Sequence, residues 1–480
     1  MKHIKTATIL LMLVLLASGA FACNNKSKYD PNKVQGVSDT EIVIGNTAAV
    51  SGAYAGVGVP FNAALEAVLK TVNDAGGVGG RTITFKHYDD GFDAAQGKTL
   101  TEKLVEEDKV FALVGHFGTN TVGATIDYIK ETGVPSVYYA TGISALYDEN
   151  ATEYTRANVP VQPIYDTEGR IMLARAAKSP DLFGTVTKVG VIYSDDDAGK
   201  GMKAGVERQA RDISGVQLKY EQVAAASTDA TAAVTSIKTF APDVIIIAAN
   251  QAPLAAIFAK LSEQGVEKPC ITSYVNASVA TAGINTTTTG TTRGLTDYYS
   301  EARKLYASGW LDIYATTVAD GKALPGFEQF GAVWTQDYID FATLMLSNAT
   351  TAQYMANSYA MAGYVAAKIF VTGLERVAAK EDKTLTWKTY LDAMEESKIH
   401  VAMGGDIDYS NGQRLGIASM NLSVFVKGSY TETDANSNPF ISEETAALLE
   451  GVDANLKGQA TGTNAFQRVK FLQSLTEIMG

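Results

Sequence analysis

Cysteine and histidine are scarce in this chain. Its 480 residues include only two cysteines, Cys23 and Cys270, and four histidines. Two cysteines cannot build a disulfide framework, and no two histidines are spaced as a metal pair. The G-x-S-x-G elbow of serine hydrolases and the glycine pattern of a dinucleotide site are also missing. The sequence therefore predicts no metal, no cofactor and no enzyme activity.

Positive charge is also in deficit. Lys and Arg number 40 against 52 Asp and Glu, a formal net charge of −12, and no basic block occurs anywhere. Nucleic-acid binding needs clustered Lys and Arg, so nucleic acid is excluded as a partner. With 46% apolar and 19% charged residues, the composition is that of an ordinary globular protein.

The first 22 residues have the pattern of an export signal. Lys2 and Lys5 precede the apolar run "ATILLMLVLLASGAFA", which is too short for a comfortable membrane span. The junction at Cys23 is similar to a bacterial lipobox, in which the cysteine carries the lipid. We therefore expect a signal peptide over 1–22, a lipid on Cys23 and a polar tether over 23–37. Free secretion into the periplasm is the alternative.

Strands and helices alternate through most of the remaining chain. The first series has the strands "EIVIGNTA", "RTITFKHYDD", "VFALVG" and "VPSVYYA", and the second has "VTKVGVIYSDDD", "VQLKYEQV", "PDVIIIAAN" and "KPCITSY". This alternation predicts parallel sheets with helices on both faces. Pro60 is expected at the start of the first helix. The final "NAFQRVKFLQSLTEI" has the apolar spacing of a helix.

Polar, loosely packed segments follow several strands. They are "GNTAAVSGAYAG", "GHFGTNT" and "YYATGIS" in the first series and "YSDDDAGKG" in the second. Ligands bind at the carboxyl ends of strands in open α/β sheets, and helix N-termini there favour anions. A competing interpretation of "GHFGTNT" is simple capping of the next helix by Thr119 or Asn120. The distribution over both series predicts a cleft between two lobes.

The order of these segments resembles the type I periplasmic solute-binding proteins, above all the leucine/isoleucine/valine-binding branch that serves ABC transporters. "DAGGVGG" and "GVPSVYYATG" are the more specific segments, and the resemblance covers residues 38–428. It implies an α/β fold with two doubly wound parallel-sheet lobes that close on a ligand like a flytrap. The three crossovers between the lobes are expected near Val159, Trp310 and Gly404.

The resemblance also divides the chain. It implies lobe 1 over 38–158 and 311–404, and lobe 2 over 159–310 and 405–428. The C-terminal extension over 429–480 has no predicted place.

A binding site at the ends of the third and fourth strands is a further implication. In the family, a hydroxyl and backbone N–H groups bind the ligand carboxylate there, and two backbone carbonyls face the ligand ammonium. The carboxylate residues would be Gly118, Thr119, Thr141 and Gly142, and the carbonyls would belong to Phe117 and Ala140.

The second lobe departs from the pattern of the amino-acid binders. Ala198 stands where they carry an aromatic residue, and Tyr274 stands where they carry a glutamate that pairs with the ammonium. A buried ammonium without a partner costs several kcal/mol. Either Asp197 replaces that glutamate, or the ligand is not an amino acid. Asn250 and Gln251 are candidates for neutral hydrogen bonds instead.

These features predict the extracytoplasmic substrate-binding protein of an ABC importer. Its expected partners are an amino acid or similar small carboxylate and the permease and ATPase subunits. A monomer is expected, with the membrane contacted only through the lipid anchor. Two alternatives stay open, a ligand sensor that serves a receptor and a binder of another small polar ligand.

Overall fold

The computed structural model describes residues 30, 32–225, 227–277, 286–288, 291–293, 295–315, 333–355, 357–427 and 464–480. The expected signal peptide, Cys23, most of the tether and much of the C-terminal extension lie outside these residues. None of the helices within the described ranges is both long and apolar enough to cross a membrane.

Strands and helices alternate through the first half of the chain, as the sequence predicts. The strands are β1 (Glu41–Ala48), β2 (Thr82–Asp89), β3 (Ala112–Phe117), β4 (Ser136–Ala140), β5 (Asn158–Val159), β6 (Lys188–Ser194), β7 (Gln217–Val223), β8 (Val244–Ala248) and β9 (Cys270–Thr272). The helices between them are α1 (Ala55–Asp74), α2 (Ala94–Glu106), α3 (Thr119–Thr132), α4 (Tyr165–Lys178), α5 (Pro180–Phe183), α6 (Asp197–Gln209), α7 (Thr231–Phe240) and α8 (Gln251–Glu263).

The later elements alternate less regularly. They are β10 (Thr286–Thr288), β11 (Thr291–Arg293), α9 (Leu295–Tyr298), β12 (Leu305–Gly309), β13 (Tyr314–Ala315), β14 (Val333–Trp334), α10 (Gln336–Leu346), α11 (Ala349–Ala352), α12 (Ser358–Ala378), α13 (Trp387–Met394), β15 (Ser419–Lys427), β16 (Asn464–Ser474) and α14 (Leu475–Met479).

Two local expectations were wrong. Helix α1 begins at Ala55, so Pro60 lies inside the helix rather than at its start. The final segment forms the strand β16, which pairs antiparallel with β15, and only its last residues form the helix α14. Tertiary pairing overrides local periodicity in that segment, because pairing with β15 satisfies its backbone hydrogen bonds.

Two sheets build two lobes. In lobe 1 the order of the parallel strands is β2-β1-β3-β4-β5. In lobe 2 the order is β16-β15-β12-β9-β8-β6-β7, with β15 and β16 antiparallel at one edge. Every residue of β3 and β8 is buried, as expected for parallel strands covered on both faces. The predicted α/β fold with two parallel-sheet lobes is confirmed.

The chain passes between the lobes through connections that lie side by side. The first connection leads from β5 of lobe 1 to α4 and β6 of lobe 2. The second leads from β12 of lobe 2 to α10, which packs on α1 of lobe 1. The third leads from α13 of lobe 1 back to β15 of lobe 2. The N–H of Ile417 donates to the carbonyl of Val161 over 2.8 Å, and the N–H of Asp312 donates to the carbonyl of Met403. These bonds join the three connections to one another, and we call the joined connections the hinge.

The C-terminal strand is tied to this hinge. Arg175 of α4 donates to the Gln473 side chain over 2.6 Å and to the carbonyl of Met420 over 3.2 Å. Arg468 of β16 forms an ion pair with Asp312 in the connection after β12, and both side chains are buried. Strand β16 therefore extends the lobe 2 sheet and braces one of the connections.

Helices α1 and α12 of lobe 1 meet at a glycine. A Cβ at Gly363 of α12 would lie 1.9 Å from the carbonyl oxygen of Phe61 in α1. The Phe61 ring in turn packs on Phe117 and Tyr138, at centroid distances of 5.9 and 5.7 Å. The helix pair therefore supports the ends of β3 and β4.

We expect Gly363→Ala to lower the free energy of unfolding by about 1–3 kcal/mol, because the added methyl would clash with backbone that cannot rotate away. Urea denaturation followed by circular dichroism measures this. The matched control is Gly56→Ala in α1, where a Cβ would have nothing within 4 Å. That control should leave stability unchanged or raise it. Equal stability of the two variants would contradict this account of the helix contact.

Candidate ligand-binding site

The ends of β3 and β4 lie side by side at the carboxyl edge of the lobe 1 sheet. The strand register pairs Phe117 with Ala140. Just beyond these two strand ends, the hydroxyl oxygens of Thr119 and Thr141 are 3.0 Å apart. Their residues are only 7% and 2% exposed. The fold thus brings together two hydroxyls that the sequence separates.

Helix α3 begins beside these hydroxyls without a side-chain cap. Its N-cap is Gly118, with a φ of 93° that glycine adopts without strain. The interpretation of Thr119 or Asn120 as the N-cap was therefore wrong, because both residues lie within the helix. An uncapped helix start presents N–H donors and a partial positive charge, which favour an anion.

Lobe 2 covers the strand ends directly. The N–H of Tyr165, at the start of α4, donates to the carbonyl of Gly142 over 2.7 Å. A Cβ at Gly142 would lie 2.6 Å from the carbonyl oxygen of Pro163 and 2.9 Å from the hydroxyl of Tyr274. Only glycine fits this contact. The rings of Tyr165 and Tyr274 are stacked with centroids 6.0 Å apart.

Tyr165 occupies the centre of the contact, and sequence reasoning missed it. The residue is 1% exposed, and its hydroxyl interacts with the side chains of Thr119 and Thr141. Burial raises the pKa of Tyr165, although the two threonine hydroxyls oppose that rise. The three hydroxyls therefore form one buried, neutral cluster. No sequence signal marks Tyr165, since an aromatic residue at a helix start is ordinarily a core residue.

The Tyr274 hydroxyl is hydrogen-bonded on two sides. It accepts from the side-chain amide of Gln162 over 2.8 Å and donates to the carbonyl of Pro163 over 3.1 Å. The Gln162 side-chain oxygen accepts from the hydroxyl of Tyr138 over 2.9 Å. A chain of hydrogen bonds thus runs from lobe 2 through the first connection into lobe 1.

A buried carboxyl group holds the turn that carries Tyr274. Glu168 of α4 is fully buried and accepts from the N–H of Tyr274 over 2.7 Å and from the hydroxyl of Ser273 over 2.8 Å. Burial raises the pKa of Glu168 to about 8, and these two hydrogen bonds limit the rise. Glu168 therefore holds the backbone of the turn that carries Tyr274.

The acidic turn before α6 faces lobe 1. Asp196 is the N-cap and accepts from the N–H of the third helical residue over 2.8 Å. Asp197 is exposed, and one of its carboxylate oxygens would lie 3.3 Å from a Cβ at Gly123 of α3. Gly123 is about one helical turn beyond Thr119. Ala198 is fully buried behind the turn.

Asn250 precedes α8 and does not cap it with its side chain. Its neighbour Gln251 makes the contact between lobes instead, donating to the carbonyl of Val275 over 2.8 Å and to the hydroxyl of Tyr359 over 3.2 Å. Tyr359 belongs to α12 of lobe 1. The structure therefore connects Gln251, rather than Asn250, with the opposite lobe.

Two aromatic residues lie beside the start of α3. The rings of Tyr54 and Phe92 are stacked with centroids 4.0 Å apart. A Cβ at Gly118 would lie 2.9 Å from the Phe92 ring. Burial raises the pKa of Tyr54, and Asp196 of lobe 2 adds to the rise. Sequence reasoning pointed to the segment that contains Tyr54 but to neither aromatic side chain.

Two α/β lobes that meet over a buried hydroxyl cluster define a two-lobed binding protein. Within the described ranges, no cluster of His, Cys, Asp or Glu side chains is suited to hold a metal ion. The family model of the periplasmic binding proteins matches residues 41–428. The chain belongs to this family, which is one of binding proteins and not of enzymes.

Two relatives illustrate the sequence similarity. A protein of Pseudomonas aeruginosa named amino acid binding protein is 24% identical over 238 residues, which are 47% of this chain and 58% of the relative. Leu/Ile/Val-binding protein homolog 1 of Brucella suis is 24% identical over 238 residues, 47% of this chain and 59% of the relative. The chain thus matches somewhat less than two thirds of the length of these curated relatives.

Solved structures show the same architecture. A fatty acid ABC transporter substrate-binding protein from Thermomonospora curvata superposes with a TM-score of 0.63 at 18% identity, over 91% of this chain and 94% of that one. A branched chain amino acid ABC transporter structure from Thermus thermophilus with bound valine gives 0.60 at 15% identity, over 81% and 94%. At these identities the likeness establishes the fold alone.

We expect Glu168 to make stability depend on pH. In the unfolded chain its pKa is that of an ordinary carboxyl group, near 4.3. Between that value and the folded pKa of about 8, the folded protein holds a proton that the unfolded chain has lost. The stability from this proton is complete below the unfolded pKa and is lost as the pH rises through the folded pKa.

Glu168→Gln removes the titrating group and keeps the side chain's shape, with one acceptor oxygen in place of two. The melting temperature of the variant, followed by scanning fluorimetry between about pH 5 and 9, should therefore fall less with rising pH than that of the wild type. Superimposable pH profiles of the two proteins would show that Glu168 does not titrate as its burial requires.

Proposed function

We propose that this protein is the extracytoplasmic substrate-binding protein of an ABC importer and binds an amino acid or a similar small carboxylate between its lobes. The observation that carries the proposal is the pair of Thr119 and Thr141 hydroxyls, 3.0 Å apart beside the uncapped start of α3. Tyr165 and Tyr274 of lobe 2 cover this pair.

The chemistry of the site suits a carboxylate. Hydroxyl and backbone N–H donors form charge-assisted hydrogen bonds with carboxylate oxygens, and these bonds are stronger where water is excluded. The proposed ligand-binding residues are Phe117, Gly118, Thr119, Ala140, Thr141, Gly142, Asp197, Ala198, Asn250 and Tyr274, to which the structure adds Tyr165.

Binding would be coupled to movement of the lobes. We assign 38–158 and 311–404 to lobe 1 and 159–310 and 405–428 to lobe 2, with the strand β16 added to lobe 2. A ligand that contacts both lobes binds the closed arrangement better and shifts the population toward it. The permease and ATPase subunits would then recognise the closed form.

The N-terminal sequence supports export. The run of apolar residues after Lys2 and Lys5 suits a signal peptide, and Cys23 suits a lipid anchor that keeps the protein at the membrane surface.

The names of the relatives guide the choice of ligands. They include an amino acid binding protein and a Leu/Ile/Val-binding protein homolog. One of the similar structures is that of a fatty acid ABC transporter substrate-binding protein. A thermal-shift screen should therefore cover amino acids, small carboxylic acids and fatty acids, with calorimetry for each compound that raises the melting temperature. A protein that responds to no carboxylate, and binds a neutral or cationic compound instead, would overturn the proposal.

Thr119→Val should weaken a bound carboxylate by about 1–3 kcal/mol, because valine keeps the shape of threonine but cannot donate a hydrogen bond to the charged group. Calorimetric titration of wild type and variant measures the difference. Thr119→Ser is the matched control, since it keeps the hydroxyl, and its affinity should stay close to that of the wild type. Equal affinity in Thr119→Val would remove Thr119 from the site.

A further inference from the structure

Two of the backbone acceptors at the candidate site are already engaged. The carbonyl of Gly142 accepts from the N–H of Tyr165 over 2.7 Å, and the carbonyl of Ala140 accepts from the N–H of Gly118 over 3.3 Å. A ligand ammonium group carries three donors and needs acceptors at this place. It would have to share or displace bonds that join the strand ends to each other and to lobe 2.

The lobe 2 side chains at the site are engaged as well. The Tyr274 hydroxyl, which stands where the family's amino-acid binders carry a glutamate, donates to the carbonyl of Pro163 and accepts from Gln162. The hydroxyl has a single proton, which forms the hydrogen bond to Pro163. A tyrosine in this arrangement is neutral and cannot balance a buried positive charge.

The nearby carboxylates point elsewhere. Glu168 is turned toward the backbone and hydroxyl of the 273–274 turn. Asp196 caps α6, and Asp197 is exposed beside Gly123 of α3. A buried ammonium group is stable only with an anionic partner and satisfied hydrogen bonds. Asp90 is buried and accepts from the Thr121 hydroxyl and the Phe92 N–H, both over 2.9 Å. None of these four acids is bonded to the threonine pair or turned toward it.

Donors for a carboxylate are present in contrast. The hydroxyls of Thr119, Thr141 and Tyr165 form one buried cluster, and the uncapped start of α3 adds backbone N–H groups. Neutral donors and a helix N-terminus are sufficient to bind a carboxylate, because its charge strengthens each bond.

The walls of the site are aromatic. Tyr54 stacks on Phe92 at 4.0 Å beside Gly118, and Tyr165 stacks on Tyr274 at 6.0 Å. Aromatic rings bind apolar groups over a large area and place no charge against them. The part of the ligand beyond its carboxylate is therefore expected to be apolar.

We propose that the ligand is a carboxylic acid with an apolar remainder and without an ammonium group. This inference rests on the proposed function, since it concerns the same site. It narrows the ligand class from amino acids and small carboxylates to carboxylic acids that lack the amine.

Calorimetry of the wild-type protein with matched pairs of compounds tests the inference. The pairs are leucine with 4-methylpentanoate, and phenylalanine with 3-phenylpropanoate, which differ only in the amine. We expect the acid without the amine to bind more tightly in each pair that binds, by about ten-fold or more, because the amine would lose its hydration without gaining an anionic partner. An amino acid that binds as tightly as its counterpart, or more tightly, would overturn the inference.

Variants of Tyr274 and Asp197 test whether the lack of an anionic partner is what disfavours the amine. Tyr274→Glu places a carboxylate where the amine would lie and should shift the preference toward the amino acid, whereas the neutral Tyr274→Gln should not. An amino-acid affinity that is lost in Asp197→Asn would identify Asp197 as the ammonium partner and overturn the inference. The wild-type titrations decide the question even where the glutamate variant fails to fold.

The two proposals fail in different ways. Binding of amino acids in preference to their counterparts, weakened by Thr119→Val, would overturn the ligand class and keep the carboxylate site. Failure of every amino acid and carboxylic acid in the thermal-shift screen to bind would overturn the proposed function and this inference with it.

Discussion

The hydrogen bond from the Tyr165 N–H to the Gly142 carbonyl, 2.7 Å long, is the contact on which the site depends. It joins the end of a lobe 1 strand to the first residue of a lobe 2 helix. The approach is so close that a side chain at Gly142 would meet the backbone of Pro163 and the hydroxyl of Tyr274. This contact buries the hydroxyl cluster between the lobes and directs lobe 2 onto the start of α3.

Neutral groups dominate the interior of this contact, whereas charged groups lie around it. Hydroxyls and amides lie where the lobes meet, and the buried carboxyl group of Glu168, with its raised pKa, lies behind them in lobe 2. The ion pair of Arg468 with Asp312 sits instead at the hinge, where it links the C-terminal strand to a connection between the lobes. Where buried groups are neutral, hydrogen-bond donors, acceptors and the dipole of α3 decide which charge a bound group can carry.

Family membership and ligand choice are separate matters in this protein. The two α/β lobes agree with the architecture of the periplasmic binding proteins that the chain resembles. Ala198 is buried behind the turn before α6, and the Tyr274 hydroxyl is hydrogen-bonded to Gln162 and Pro163, so both residues are accommodated by the fold. Folds of this kind retain their architecture while the side chains at the cleft change.

The sequence by itself determined the alternation of strands and helices, the two parallel sheets and the strand ends at which Thr119 and Thr141 lie, because these follow from local periodicity and from the rule that ligands bind at carboxyl edges. Only the tertiary structure decided that Gly118 is the N-cap residue of α3, that Tyr165 lies beside the threonine hydroxyls and that the final segment is a strand. Each of these depends on contacts between residues far apart in the chain, whose partners no local pattern specifies. A residue such as Tyr165 has the same local signature in a core and in a binding site, and only its neighbours across the lobe boundary tell the two apart.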